Sequence, residues 1–194
     1  KDIGFQPGLT ETLDVWDMQL VSYGKKIISL RRQFMEELGE IIRQIHSNLT
    51  GKKEEIRLLY EPDVEEKVFE EKLQSAREKD LRFRVTSVGP HRDDFCVQIN
   101  GIDIRKYGSQ GQQRTAALSL KMSEIYLVEK VTKDHPVLLL DDVLSELDSS
   151  RQNYLLQSIH NIQTVITCTG LDELIENNFS IDRVFRVTEG KIDF

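Results

Sequence analysis

The sequence predicts an α/β fold in which an all-helical arm precedes a mostly parallel sheet covered by helices. Apolar residues in the first 49 positions recur at spacings of three and four, which is typical of one long helix. Beyond residue 81, short apolar runs alternate with helical patterns, as in a parallel sheet with helical crossovers. We therefore expect an arm at 1–80 and an α/β unit with a β-hairpin at 81–194.

Composition and charge narrow the range of functions. The chain of 194 residues is 39% hydrophobic, and 26 basic against 33 acidic residues give a net charge of −7. This balance argues against coating nucleic acid through bulk charge, so any DNA contact would be local. No apolar run approaches the roughly 20 residues of a membrane span, and we expect no membrane association. Cys96 and Cys168 are interpreted as buried free thiols of a cytoplasmic protein.

The arm begins with a helix predicted over 10–48, roughly 55–60 Å long, with Gly24 and Gly39 as the places where it would bend. Its apolar positions form a heptad seam, which we interpret as core packing rather than as a groove for a partner. The seam comprises Leu13, Trp16, Leu20, Tyr23, Ile27, Leu30 and Phe34, and it continues at Leu38, Ile41, Ile45 and Leu49.

The remaining elements follow from alternation and turn signals. "IRLLY" (56–60) and "LRFRVTSV" (81–88) alternate like strands, and Pro62 between them opens a helix predicted to end near residue 79. Asn100-Gly101 joins two alternating runs and predicts a hairpin. We then expect a helix at 109–133, a strand in "PVLLLDD" (136–142), a helix at 148–160, a strand at 164–168, a helix at 171–177 and a strand at 183–187.

Two aspartates, Asp141 and Asp142, end the apolar run "VLLL". Open α/β sheets bind ligands at the carboxyl ends of their strands. Adjacent carboxylates repel each other unless a cation relieves them, and Mg²⁺ takes one or two carboxylates together with phosphate oxygens. The pattern therefore indicates a Walker B strand. The alternative is that Asp142 only caps the following turn.

A polar segment, "YGSQGQQRT" (107–115), stands directly before a strong helical pattern. Helix N-termini bind anions through free backbone N–H groups. Ser109 offers a hydroxyl, Gly111 allows a phosphate to approach the backbone, and the glutamines Gln110, Gln112 and Gln113 donate and accept hydrogen bonds. The alternative is an ordinary serine N-cap on a surface helix.

Together, "SQGQQR" (109–114) and "VLLLDDVLSELD" (137–148) resemble the signature loop, Walker B strand and D-loop of the ABC-type ATPases. The resemblance implies that this chain forms the C-terminal part of an ABC-type ATPase head. In that family the signature residues, here Ser109 and Gly111 with their glutamine neighbours, contact the γ-phosphate of ATP held by a second subunit.

The same resemblance implies roles for the acidic block. Asp141 would hold Mg²⁺ through water, and Asp142 would be the catalytic base that polarises the attacking water. Ser145 and Asp148 match the D-loop, which crosses the dimer interface.

Further motifs resemble the RecF family of bacterial recombination mediators. They are "GPHRDD" (89–94), "GSQGQQRT" (108–115), the Asp–Asp Walker B strand, "LDVWDMQL" (13–20) and "EGKI" (189–192). The resemblance covers the whole chain, as roughly the C-terminal half of that family. It implies an ATP-dependent homodimer on DNA, slow ATP hydrolysis, and recombinase loading with RecR and RecO at junctions of gapped duplex DNA.

The chain departs from the wider ABC pattern in three places. Gln110 replaces a glycine, Asp142 replaces the usual glutamate, and "VITCTG" (165–170) lacks the expected switch histidine. These changes favour a slow switch over a fast motor. No G-x-x-x-x-G-K-[ST] sequence occurs, so we expect the Walker A loop to lie upstream and this chain alone to be inactive and to bind no nucleotide.

Three other residues are candidates for DNA or interdomain contacts. His91 and Arg92 lie in the "GPHRDD" loop, where the alternative is a structural turn with Arg92 paired to Asp93 or Asp94. Arg114 follows the signature residues and is interpreted as pairing with an acidic residue on the arm, with a phosphate contact as the alternative. The arm also carries basic pairs, which are typical of a solvated helix face: Lys25-Lys26, Arg31-Arg32 and Lys52-Lys53.

Two further functional classes stay open at this stage. The chain could be a non-catalytic docking module for a loader protein, or part of a transporter's nucleotide-binding domain. The long arm and the lack of membrane-coupling hydrophobic residues count against the transporter.

Overall fold

The computed structural model describes residues 7–159, 161–169 and 181–193 of the chain. Contacts divide the chain into two compact units, Lys1–Leu127 and Val128–Phe194. The expected α/β class is confirmed, because helices alternate with strands and the second unit holds a parallel strand pair. The division differs from the arm boundary suggested at residue 80, which stays a prediction for the full-length protein.

The elements are described here in chain order. The helices are α1 (Pro7–Leu49), α2 (Phe69–Phe83), α3 (Ile104–Tyr107), α4 (Gln110–Thr132) and α5 (Ser149–Ser158). The strands are β1 (Ile56–Glu61), β2 (Asp94–Ile99), β3 (Ile102–Asp103), β4 (Leu138–Asp141), β5 (Thr164–Thr167), β6 (Arg186–Thr188) and β7 (Lys191–Asp193). Short 3-10 turns lie at Pro90–Arg92 and Val143–Glu146. No helix in the described ranges has the length and apolar character needed to cross a bilayer.

Helix α1 is one helix of 43 residues, which confirms the long helix predicted from the seam. Near its C-terminal end, Ile42 is fully buried and packs in one apolar cluster with residues of the antiparallel sheet β1–β2–β3 and of α4. The other members of that cluster are Ile56, Ile99, Ile104 and Ala116. The C-terminal end of α1 therefore packs against the sheet and the first turns of α4 and stabilises both.

The predicted hairpin forms at Asn100-Gly101, where both residues have positive φ, 51° and 81°. A two-residue turn of type I′ between antiparallel strands requires this conformation, and Asn and Gly adopt it at least cost. Strand β3 ends after two residues because the side chain of Asp103 accepts a hydrogen bond from Arg105 N and caps α3. The hairpin thus delivers the chain directly to the segment before α4.

The N-terminal half of α1 packs against α2 through a second apolar cluster. Val21 and Ile28 contact Phe69 and its neighbours on the face of α1 that also carries Gly24. A Cβ atom at Gly24 would lie 2.3 Å from the Phe69 ring, so the absence of a side chain allows the two helices to approach. Gly24 is therefore a close-packing position in a continuous helix rather than a bend.

The interpretation of the seam as core packing is wrong, for the described residues, over its first half. Trp16, Tyr23 and Leu30 are 57%, 63% and 65% exposed. Helix α2 occupies the neighbouring face, where Gly24 permits close approach, and the described residues leave this part of the seam largely exposed. The interpretation holds at Leu38 and Ile45, which are buried.

Three other element predictions need correction. The second helix begins at Phe69 rather than Pro62, and it runs through the start of "LRFRVTSV", so the strand predicted there is wrong. Arg84, with φ 55°, ends the helix by donating its backbone N–H to the Asp80 carbonyl. The last predicted strand is replaced by the hairpin β6–β7, and the helix predicted at 171–177 lies outside the described residues.

The second unit contains the parallel pair β4–β5, with Asp141 opposite Thr167 at its carboxyl end. Leu140 is buried, whereas Leu139, on the opposite face of β4, is 72% exposed. Alternate residues of a strand point to opposite faces, so only one face of this pair is covered by described residues. The carboxyl end of the pair carries the acidic residues singled out from the sequence. Cys168, which follows β5, is exposed, so its interpretation as a buried thiol is wrong, whereas Cys96 is buried.

Replacement of Gly24 by alanine tests the close approach of α1 and α2. The added methyl group overlaps the Phe69 ring, which costs about 1–3 kcal/mol and outweighs the gain in helix propensity of about 1 kcal/mol. We expect faster amide exchange in peptides from α1 and α2 of the full-length protein, measured by mass spectrometry.

The matched control is Gly39→Ala, because a Cβ atom there would meet only ordinary contacts at 3.9–4.0 Å. We expect Gly39→Ala to leave exchange unchanged or to slow it. Equal exchange in the two variants would contradict the packing role of Gly24.

Candidate functional site

The N-terminus of α4 is closed by a reciprocal pair of hydrogen bonds between Ser109 and Gln112. The Gln112 N–H donates to Ser109 Oγ at 3.2 Å, and the Ser109 N–H donates to Gln112 Oε1 at 3.0 Å. This arrangement is a capping box. The serine N-cap that the sequence offered as an alternative is therefore present. The Ser109 hydroxyl accepts in this box, so its own hydrogen stays available to donate.

The next two residues of the loop present free backbone donors. Gln110 and Gly111 are exposed, and in the described part of the chain neither backbone N–H has a hydrogen-bond acceptor. A Cβ atom at Gly111 would meet only Ser109 Oγ, at 4.0 Å, so internal packing does not require glycine here. The first turn of α4 therefore combines two open N–H groups, a hydroxyl and unobstructed space, which suits an anion.

A chain of polar contacts leads from this loop into the protein. Gln112 Nε2 donates to Glu54 Oε1 at 3.0 Å, and the other carboxylate oxygen of Glu54 lies 3.2 Å from His46 Nε2. His46 lies on α1, is fully buried, and contacts Ser119 Oγ at 2.9 Å through Nδ1. Gln113 has a different role, because its amide donates to the Ile104 carbonyl at 2.9 Å.

The aspartates at the end of β4 are both exposed, as a ligand site at a strand end requires. Thr167 Oγ1, at the end of β5, donates to Asp141 Oδ1 at 2.5 Å and accepts from the Asp142 N–H at 3.1 Å. Asp142 has φ 51° and ψ 21°, and its side chain makes no capping hydrogen bond. The alternative that Asp142 caps the following turn is therefore wrong, and its carboxylate has no partner in the described part of the chain.

The two D-loop candidates have structural roles in the second unit. Ser145 Oγ donates to the Asp142 carbonyl at 2.8 Å. Asp148 is the N-cap of α5 and accepts from the backbone N–H groups of Ser150 and Arg151, each at 3.1 Å. Partial burial raises the pKa of Asp148, but the hydrogen bonds from Arg151 and its charge outweigh burial and hold that pKa below its usual range.

The "GPHRDD" loop is anchored by a residue that the sequence analysis did not select. The Asp93 side chain is 3% exposed and accepts from Arg31 Nη1 at 2.8 Å, from the Tyr60 hydroxyl at 2.5 Å and from the Asp63 N–H at 3.0 Å. Burial, followed by the hydrogen bond to Asp93, raises the pKa of Tyr60 above its usual range. A buried carboxylate needs such partners, so Asp93 joins α1 to β1 and to its own loop.

The exposed residues of that loop are positioned by this anchor. His91 Nε2 donates to the Thr86 carbonyl at 2.7 Å. The Arg92 guanidinium lies 3.7 Å from the Asp63 carboxylate, so the alternative in which Arg92 pairs with Asp93 or Asp94 is wrong. The reason is that each aspartate already has an arginine partner, Arg31 for Asp93 and Arg105 for Asp94, both at 2.8 Å.

Arg114 is exposed and forms no ion pair within the described ranges, so the expected salt bridge to the arm is wrong. Arg31 and Arg32 are engaged with Asp93 and Glu65, the latter at 2.7 Å. These two arginines therefore stabilise the fold, whereas Arg114 is left available for an external anion.

Three residues that contact the candidate site residues, Thr167, Glu54 and His46, were not predicted from the sequence. Thr167 could have been found from the parallel register, because matched strand ends place it beside Asp141. Glu54 and His46 left no local signal, because their contacts with Gln112 and Ser119 join residues 58 and 73 positions apart.

The chain as a whole was compared with known proteins. No protein-family model matches the chain. It is 58% identical over 193 residues to the DNA replication and repair protein RecF of Agathobacter rectalis, covering 100% of the chain and 53% of that protein. It is 54% identical over 193 residues to the same-named protein of Lachnoclostridium phytofermentans, covering 100% of the chain and 54% of that protein. The chain thus spans about half the length of the curated relatives it matches.

Two solved structures are similar in fold. One is described as the recombination mediator protein RecF-ATPrS in the RecFOR pathway, with a TM-score of 0.81 and 35% identity over 100% of this chain and 52% of that one. The other is described as RecF-ATP in the same pathway, with a TM-score of 0.80 and 36% identity over 94% of this chain and 51% of that one.

Substitutions of Asp148 separate the effect of its N-cap hydrogen bonds from the effect of its negative charge. We expect Asp148→Ala to destabilise α5 by about 1 kcal/mol, because the N-cap bonds are lost, and Asp148→Asn to retain most of the cap. The readout is amide exchange in peptides covering α5 of the full-length protein.

The lowered pKa of Asp148 sets the pH dependence of this effect. The carboxylate stabilises the folded state above its unfolded pKa of about 3.9, and the contribution is lost as pH falls through the lower folded value. The difference between wild type and Asp148→Ala should therefore shrink on acidification below about pH 4. A difference that grows with acidification would contradict the assignment.

Proposed function

Because this chain belongs to the RecF family of ABC-type ATPases and matches the C-terminal half of its relatives, we propose that it supplies the signature loop, Walker B strand and D-loop of an ATP-dependent DNA-repair protein. The observation that carries the proposal is the first turn of α4. There, a hydroxyl is exposed beside two backbone N–H groups that have no acceptor among the described residues, at the positive end of a helix.

In this proposal the signature loop binds the γ-phosphate of ATP held by a second copy of the protein. The Ser109 hydroxyl donates its free hydrogen to a phosphate oxygen while still accepting from Gln112. The N–H groups of Gln110 and Gly111 donate to the same group. Because the loop completes the site of another copy, ATP binding drives formation of a homodimer.

The carboxyl end of β4 supplies the acidic half of the chemistry. No cluster of three or more His, Cys, Asp or Glu side chains in the described residues could hold a metal ion unaided. Mg²⁺ fits, because it needs only one or two carboxylates when phosphate and water complete its shell. Thr167 engages one oxygen of Asp141, which leaves the other to hold the ion. Bound Mg²⁺ would neutralise charge on the phosphate oxygens.

Asp142 is the proposed catalytic base. Its carboxylate is exposed and unpartnered among the described residues, while its backbone N–H is held by the carbonyl and hydroxyl of Thr167, each at 3.1 Å. It can therefore accept a hydrogen bond from the attacking water. The side chain is one methylene shorter than the glutamate of the wider family, which supports slow hydrolysis.

At the level of the full-length protein, we propose an ATP-dependent dimer that binds DNA at single- and double-strand junctions in the cytoplasm. There it would help RecR and RecO to load recombinase at gaps. Both solved relatives are described as mediators of the RecFOR pathway, which supports this role. His91, Arg92 and Arg114 are exposed cationic or titratable groups on the first unit and are candidates for DNA or interdomain contacts.

A second candidate function is a non-catalytic docking module for a loader protein. The exposed seam on α1 favours it, because Trp16, Tyr23 and Leu30 form a largely exposed apolar stripe.

Replacement of Ser109 by arginine in the full-length protein tests the signature assignment. The large cation fills the open space at the α4 N-terminus, so we expect ATP-dependent dimerisation to be lost, measured by analytical ultracentrifugation with and without ATP. Ser109→Thr is the control, because it keeps the hydroxyl. Unchanged dimerisation of Ser109→Arg would show that the loop does not meet nucleotide.

Replacement of Asp142 by asparagine tests the proposed base. We expect steady-state ATP hydrolysis to fall on the order of 100-fold while ATP-dependent dimerisation persists, because the water loses its acceptor but the signature loop is intact. Asp182→Asn, the same change at another exposed position of the second unit, serves as the control. Hydrolysis at the wild-type rate in Asp142→Asn would exclude this residue as the base.

A further inference from the structure

The side-chain amide of Gln112 is fixed at both of its ends. Its oxygen accepts from the Ser109 N–H at 3.0 Å, and its nitrogen donates to Glu54 at 3.0 Å. An amide held by a donor on one side and an acceptor on the other cannot rotate by half a turn without losing both bonds. The capping of Ser109 by Gln112 is therefore tied to a residue outside the loop.

Glu54 lies in the connection between α1 and β1, and it is held by a fully buried side chain. His46, on the last turns of α1, contacts Glu54 Oε2 at 3.2 Å and Ser119 Oγ at 2.9 Å. A polar ring buried to this extent needs partners, and loss of one is costly. Because Ser119 lies on α4 two turns after Gln112, the contacts close a loop from α4 through Glu54 and α1 back to α4.

We propose that Glu54, held by His46, is a positioning residue for the signature loop. By fixing the Gln112 amide, it keeps Ser109 in the N-cap conformation in which its hydroxyl hydrogen and the N–H groups of Gln110 and Gly111 face the phosphate. Glu54 itself touches no nucleotide. The inference rests on the proposed function of the loop, and it connects the end of the long helix to the strength of ATP-dependent dimerisation.

A charge exchange in the full-length protein tests this role. Glu54→Ala removes the acceptor, and Gln112→Glu places two carboxylates against each other. Each change is expected to weaken ATP-dependent dimerisation about tenfold, as loss of one hydrogen bond to a charged group implies. The double variant Glu54→Gln with Gln112→Glu restores an amide–carboxylate pair in reverse, and we expect dimerisation within about threefold of wild type.

ATP binding to the monomer, measured with a fluorescent analogue, is expected to stay unchanged in all of these variants, because the signature loop acts on nucleotide held by the other copy. Glu55→Ala is the matched control, since the neighbouring Glu55 side chain is exposed and pairs only with Arg57 among the described residues. If Glu54→Ala does not fold, Gln112→Glu and the double variant decide the question, because both keep a partner for His46.

Failure of the exchanged pair to recover dimerisation, or wild-type dimerisation of both single variants, would overturn the positioning role. The proposed function fails separately, through intact dimerisation of Ser109→Arg. Loss of dimerisation in Ser109→Arg together with normal dimerisation in Glu54→Ala and Gln112→Glu would refute the positioning role alone.

Discussion

Burial of one face of α1 near its C-terminal end is the constraint on which the first unit depends. Ile42 and His46 are fully buried there, one among the apolar residues of the sheet and the other in a polar chain that reaches α4. The apolar contacts supply most of the stabilisation, because they are numerous and do not depend on a particular orientation of the partners. The polar contacts fix the relative orientation of the elements, because a hydrogen bond forms only within a narrow range of distance and angle. Contacts with the long helix therefore fix the position of the loop that precedes α4, the proposed signature loop.

Near the middle of α1, Asp93 likewise holds the helix to other segments of the first unit. A buried carboxylate is tolerated only when several donors surround it, and Asp93 draws donors from α1, from β1 and from the segment after β1. The conspicuous "GPHRDD" motif is thus divided in two. Asp93 is turned inward as an anchor, and His91 and Arg92 are held outward on a fixed turn.

The sequence predicted those elements whose formation depends on residues close together in the chain. The heptad spacing predicted α1, Asn100-Gly101 predicted the hairpin, and the apolar run before Asp141 predicted the strand with exposed acids. The prediction of a strand at 81–88 is wrong because the alternation in "LRFRV" is also compatible with the end of a helix. Helix α2 continues to Phe83, and the backbone N–H of Arg84 donates to the Asp80 carbonyl. The direction in which the seam faces, and the contact between Glu54 and Gln112, depend on packing between distant segments, so no local pattern could reveal them.

The parallel pair β4–β5 has a consequence for handling the molecule. Within the described residues these strands pair only with each other, and Leu139 and Val165 lie uncovered on the surface. Strand edges with unpaired N–H and C=O groups beside exposed aliphatic side chains promote aggregation, because strands of other chains can pair with them. We therefore expect concentration-dependent self-association wherever these edges stay uncovered. The acidic surplus of the sequence, through mutual repulsion of chains, opposes that association most effectively at low ionic strength.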